Sequence, residues 1–370
     1  MIMNSRLMHI SMYCSLLAAV LIFSACNSSE DEEQENSYDR QALLVNIADN
    51  VIIPAYSDLN ASVNNLNAQA VTLQSDVTAE NVQNLRDSWK QVARKWQRVA
   101  LFDFGPASQN GLLSAFNLYP VSADQIGNNI NSGNYNLESA QNINAVGLQA
   151  LDYLLYRNEQ TAAQHAASLS QNPNELQYIL DLTELMKFKC NAVNSAWSGE
   201  YRTAFIAAMG TDVGSSLGQL INGSIKYFEI HLRDAKIGIP AGARSSSGLP
   251  IPEQSEAYYN ADLAHELLIE GISSWKNMFN GGNGEGLDDY LRFLGPTFNG
   301  NPLSDEINLF FDSAIQQSEA LPTPFQDALV NNQEDCLAVF DELQKLVVLL
   351  KVDMTSAMGI SVTYVDNDGD

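Results

Sequence analysis

Histidine and cysteine are scarce in this chain, with four of each in 370 residues. Beyond the N-terminal apolar stretch only His165, His231 and His265 remain, and none sits in a His-Glu-x-x-His pattern, so the common zinc-protease helix is missing. There is no Cys-x-x-Cys ligand pair and no glycine-rich phosphate loop. The stretch GTDVGSS (210–216) lacks the surroundings of a serine nucleophile elbow. Ser–His and Cys–His hydrolysis therefore have little to work with. Positive charge is also sparse: 19 basic residues against 44 acidic ones give a formal net charge of −25. Such a surface repels nucleic acid and anionic membrane faces, so no nucleic-acid partner is expected. Sustained two-residue alternation, the mark of a half-buried strand, is absent too.

The N-terminus reads as a targeting signal. Arg6 and His9 precede the apolar run SLLAAVLIF, which is short for a bilayer span and ends in SAC at Cys26. Residues 1–25 resemble a bacterial lipoprotein signal with Cys26 as the lipidated residue; an ordinary cleaved secretory peptide is the alternative. NSSEDEEQE follows Cys26, and residues 26–37 read as an acidic tether. Its position resembles the export signal of surface lipoproteins in Bacteroidota. The expected location is the outer membrane on its cell-surface face, with the periplasmic face as alternative. Cys14 leaves with the signal. Cys190 and Cys336 lie in helical patterns, where buried thiols and a bridge both stay open.

Helical periodicity dominates the remainder and predicts an all-α fold. Long candidates cover about 39–72, 79–103, 139–157, 173–208, 211–237, 253–280, 303–318 and 333–358. In one of them Leu85, Trp89, Val92, Trp96 and Val99 share a face. Gly147-Leu148, Leu151 and Leu154-Leu155 align at constant offset with Gly286-Leu287, Tyr290 and Phe293-Leu294. This apparent internal duplication predicts two helical bundles, 38–209 and 210–360, with a tail at 361–370.

Three stretches carry polar chemistry. In GLQALDYLLYR (147–157), Gln149 and Asp152 sit three apart at the edge of a leucine stripe. Asp262 and His265 are at ligand spacing with Glu266 and Glu270 following, which reads as a metal cluster or as a solvated acidic face. Arg86, Lys90, Arg94, Lys95 and Arg98 concentrate basic charge on one helix. They would pair with neighbouring carboxylates or wall a cleft for an anionic ligand, with Arg98 best placed for the second role. A further mixed-charge segment holds Glu229, His231, Arg233, Asp234 and Lys236.

Five segments in order resemble the imelysin-like (M75 peptidase) family. They are the Trp/Arg-rich helix running into FDFGP (102–106), NLYPVSADQI (117–126), GLQALDYLL (147–155), KYFEIHLRDAKIGIPAG (226–242) and NGEGLDDYLRFLG (283–295). The resemblance implies two helical bundles from an ancient duplication and a site near their interface. It also implies an exported protein tied to uptake of iron, haem or another anionic ligand, with a TonB-dependent system as candidate partner. The peptidase class rests on a Gly-x-His-x-x-Glu motif. Here the glycine is Gly147, while Gln149 and Asp152 replace the histidine and glutamate. A primary amide is a poor transition-metal ligand. No metal and no catalytic residue is therefore expected, and the enzyme question leans to no; a metallopeptidase using non-standard ligands and a structural or adhesion surface lipoprotein are the alternatives. Expected cleft residues are Gln149, Asp152, Arg98, His231 and Arg233, with Asp152 accepting hydrogen bonds, an arginine of 86–98 among the donors considered. Gly147, Phe104, Gly105, Pro106 and Tyr119 are expected in structural roles.

Overall fold

A computed structural model describes residues 38–364. The signal segment, Cys26, the acidic tether and most of the 361–370 tail lie outside the described residues. The long helices are α1 (Ile53–Ser75), α2 (Ala79–Gln97), α3 (Gly147–Tyr156), α4 (Pro173–Trp197), α5 (Ser216–Lys226), α6 (Ala261–Phe279), α7 (Leu303–Glu319) and α8 (Gln333–Val348). Among the described residues the strands amount to one two-residue hairpin, Thr297–Phe298 with Asn301–Pro302. The all-α expectation holds. No helix in this range is long and apolar enough to cross a membrane.

Local sequence sets the helix limits. Thr78 caps α2 by accepting from the Asn81 amide. Its Leu85, Trp89, Val92 and Trp96 are buried together. Burying such side chains is worth roughly 1.5–3 kcal/mol each. The predicted helix at 139–157 begins only at Gly147, because that residue takes φ +78 after an extended Val146. The 253–280 helix likewise starts late, at Ala261, and leaves 253–260 as a loop that matters below.

Helices α2 and α4 both pack on α1, while α6, α7 and α8 pack with a π-helix, Tyr227–Gly238, that continues α5. The α2–α6 contact joins the two groups. From Asp39 onward the chain clusters as one compact unit. The aligned repeat segments differ in detail. Gly286 has an extended φ of −118 where Gly147 is left-handed. The Trp89 indole donates to Leu148 O, whereas the Trp275 indole donates to Ser224 O. Leu154 and Leu155 are buried, but their counterparts Phe293 and Leu294 are exposed. Cys190 and Cys336 are both buried free thiols.

Candidate functional site

Gly147 opens the helix that carries Gln149 and Asp152. A Cβ there would lie 2.3 Å from Phe116 O, so the segment 112–116 and α3 touch backbone to backbone. Trp96 stacks on Phe116 at 4.9 Å, which fixes Asn117 directly after it. Asn117 and Gln149 thus come from separate pieces of chain held together by this close approach.

Both ends of Gln149 are occupied. Its Nε2 donates to Asn117 Oδ1 at 2.8 Å, and its Oε1 accepts from the Ala257 amide at 2.8 Å. Asn117 Nδ2 in turn donates to Glu256 Oε1 at 2.7 Å. Since Glu256 and Ala257 are consecutive, these contacts close a ring that clamps the 253–260 loop to α3. Gln97 Nε2 also donates to Glu256 Oε1, and Lys236 Nζ pairs with its other oxygen. Glu256, Lys236, Gln97 and Asn117 are all buried. Burial pulls the Lys236 ammonium down from its usual pKa, against the opposing pull of Glu256.

Asp152 stands apart from the ring. Its Oδ2 accepts from the Tyr259 amide at 2.9 Å, while its buried Oδ1 has no hydrogen-bond partner. The residue is 1% exposed. Burial, with some help from the Glu256 charge, raises its pKa to about 8, and the Tyr259 bond only partly offsets this. Burial thus favours its protonated form. It lines a cleft of about 190 Å³ with Gln149, Tyr119, Pro120, Val121, Glu253, Ser255, Tyr258 and Tyr259. None of these lining residues is Lys, Arg or His.

The other expected site residues fall elsewhere, so the basic wall does not form at this cleft. Arg98 pairs with Glu270 at 2.6 Å and lines a different, larger groove of about 460 Å³ between α1 and α6. Arg233 is buried against Asp234, Gln344 and Glu229. His231 stacks on Tyr227 at 5.9 Å, and burial lowers its pKa to about 4. No arginine of 86–98 is among the donors to Asp152. Arg86 instead donates to Leu155 O and Gln160 O, while Arg94 and Lys95 pair with Glu266 and Asp58. Glu266 and Glu270 are thus partners of the basic helix, and His265 bonds Ser318 O. Phe104 packs edge-on to Trp197, and Pro106 starts a short helix after Gly105, whose φ is +51. Tyr119 contributes a cleft wall as well as a turn, with a cis bond to Pro120. Glu256 and Lys236 were not foreseen at the site; the sequence offers no periodic signal for a buried acid in a loop.

Residues 52–351 match the family described as imelysin, peptidase M75. The chain belongs to the imelysin family. A curated relative, iron-regulated protein A of Synechococcus elongatus, is 21% identical over 358 residues, covering 89% of this chain and 90% of that protein. In fold, the chain is similar to a crystal structure described as an iron-regulated protein A precursor from Parabacteroides distasonis, with TM-score 0.71 and 18% identity. That match covers 86% of this chain and 94% of the other. An imelysin-like protein from Psychrobacter arcticum gives TM-score 0.68 at 17% identity, covering 88% and 97%. The metal implied by the imelysin peptidase class does not suit the residues present at the motif. Gln149, an amide where the motif has histidine, has both polar ends committed to the ring, and one Asp152 oxygen accepts from the Tyr259 amide.

Proposed function

We infer that this imelysin-family protein is an exported lipoprotein that binds a small ligand in the Asp152 cleft as part of iron acquisition. The observation that carries the binding role is Asp152 itself, a buried acid that lines a cleft and has one oxygen without a hydrogen-bond partner. Other buried polar atoms lack a partner too, at Trp96, Trp197 and Asp288 among them, but Asp152 is the one that also lines this cleft. The iron link draws on the relatives described as iron-regulated. A Cys26 lipid anchor to the outer membrane, a surface-facing location and a TonB-dependent uptake partner complete the reading.

Two measurements test it. Abundance of the protein should rise when cells are starved of iron, read by quantitative immunoblot. Titration of purified protein with haem and with ferric chelates, followed by ring signals of isotopically labelled tyrosine, should perturb Tyr119, Tyr258 and Tyr259. Constant abundance across iron levels would remove the iron link, and silent tyrosines with every ligand tried would remove the cleft.

A further inference from the structure

We propose that the group recognised in the Asp152 cleft is an organic ammonium, held by Asp152 and Glu253 within walls of tyrosine. The inference rests on the reading of this cleft as a ligand site and specifies its chemistry.

Four observations converge on a cation. Asp152 Oδ1 is a buried oxygen without a hydrogen-bond partner, in a residue that lines the cleft. Glu253, exposed at the rim, adds a second carboxylate. Tyr119, Tyr258 and Tyr259 line the same space, the last two edge-to-face at 5.0 Å. Aromatic faces attract ammonium groups through the ring quadrupole, and desolvated sites strengthen that attraction. Finally, no basic side chain lines the cleft. Arg157, whose field reaches Tyr259, is stacked over Tyr153 at 4.8 Å and paired with Glu175 at 2.7 Å. Lys236 is committed to Glu256.

The same inventory argues against an anionic group. An anion would meet the Glu253 carboxylate and the field of Glu256, with no lining cation to offset them. An ammonium supplies the missing donor to Oδ1, and a carboxylate beside a positive charge favours its ionised form. The net charge of −25 draws cations towards the surface.

The test uses n-butylammonium, with n-butanol and butyrate as neutral and anionic counterparts, on the full chain with labelled tyrosine rings. Butylammonium should shift the Tyr119, Tyr258 and Tyr259 signals to saturation, while butanol and butyrate leave them in place. Asp152→Asn, nearly isosteric, should weaken butylammonium about tenfold, as expected for loss of a charge-assisted bond. Glu253→Gln, on the exposed rim and harmless to folding, should weaken it about two- to threefold. A glycine dipeptide amide with free or acetylated amino terminus separates the sources: binding of the free form only points to peptide amines, and binding of neither to small amines. Equal shifts from butanol, or unchanged butylammonium affinity in both variants, would overturn the ammonium assignment. If haem or a ferric chelate perturbs these tyrosines and no amine does, the assignment falls and the cleft reading stands. If no probe perturbs them, both fall.

Discussion

Asp152 makes the protein sensitive to pH in a definite direction. An unfolded aspartate ionises near 3.8, whereas burial pushes this one to about 8 in the fold. The native state therefore holds a proton that the unfolded chain releases, and stability declines as pH rises from about 4 to about 8. Asp152→Asn should flatten that slope, read from urea midpoints at pH 5 and pH 8. His165 acts in the opposite sense. It is buried beside Arg86, its pKa falls to about 4, and the stability it contributes is lost as pH drops from 6.5 towards 4. Gly147 gives a steric prediction. Gly147→Ala would place a methyl group 2.3 Å from Phe116 O at a left-handed φ, costing roughly 3 kcal/mol or more by urea unfolding. At this scale the residue types at 147–152 were legible in the sequence. The unpaired oxygen was not, because it depends on what the distant segment 253–260 does.

Between elements, two kinds of ionic contact should behave differently. The α2–α6 pairs Arg94–Glu266 and Arg98–Glu270 are partly exposed. Such pairs contribute about 0–1 kcal/mol and weaken with salt, so Arg98→Ala should shift the melting temperature little and less still in 1 M NaCl. The buried Lys236–Glu256 pair is another matter. Lys236→Met leaves Glu256 with an uncompensated charge and should cost about 3–5 kcal/mol in a denaturant titration. Helix existence was readable from apolar spacing, as in the buried face of α2. Helix starts were less so. The expected 253–280 helix took in this loop, yet the ring through Gln149 and Asn117 holds Glu256 and Ala257 out of it. A closure between residues more than a hundred positions apart leaves no local trace in sequence.

For the whole molecule, the proposed lipid anchor at Cys26 makes a direct prediction. Cys26→Ser should move the protein from the membrane to the soluble fraction, since thioether lipidation needs that sulfur; co-fractionation of the mutant with membranes would refute the lipoprotein reading. The all-α class followed from periodicity because tertiary packing here agrees with local preference along most of the chain. Placement of the basic residues did not follow. Five cations on one helix are compatible with a ligand wall or with partners on other helices, and only the packing of α6 against α2 chooses the second for Arg94 and Arg98.

The close approach at Gly147 has a bearing on how such chains are grouped. A backbone carbonyl occupies the place where any side chain would begin, so the first letter of the motif is dictated by architecture. The letters two and five positions later face no such veto, and here they carry an amide and an acid. A pattern search anchored on that glycine will gather chains by shape while remaining blind to their chemistry, and two proteins found together by it need not handle the same molecule.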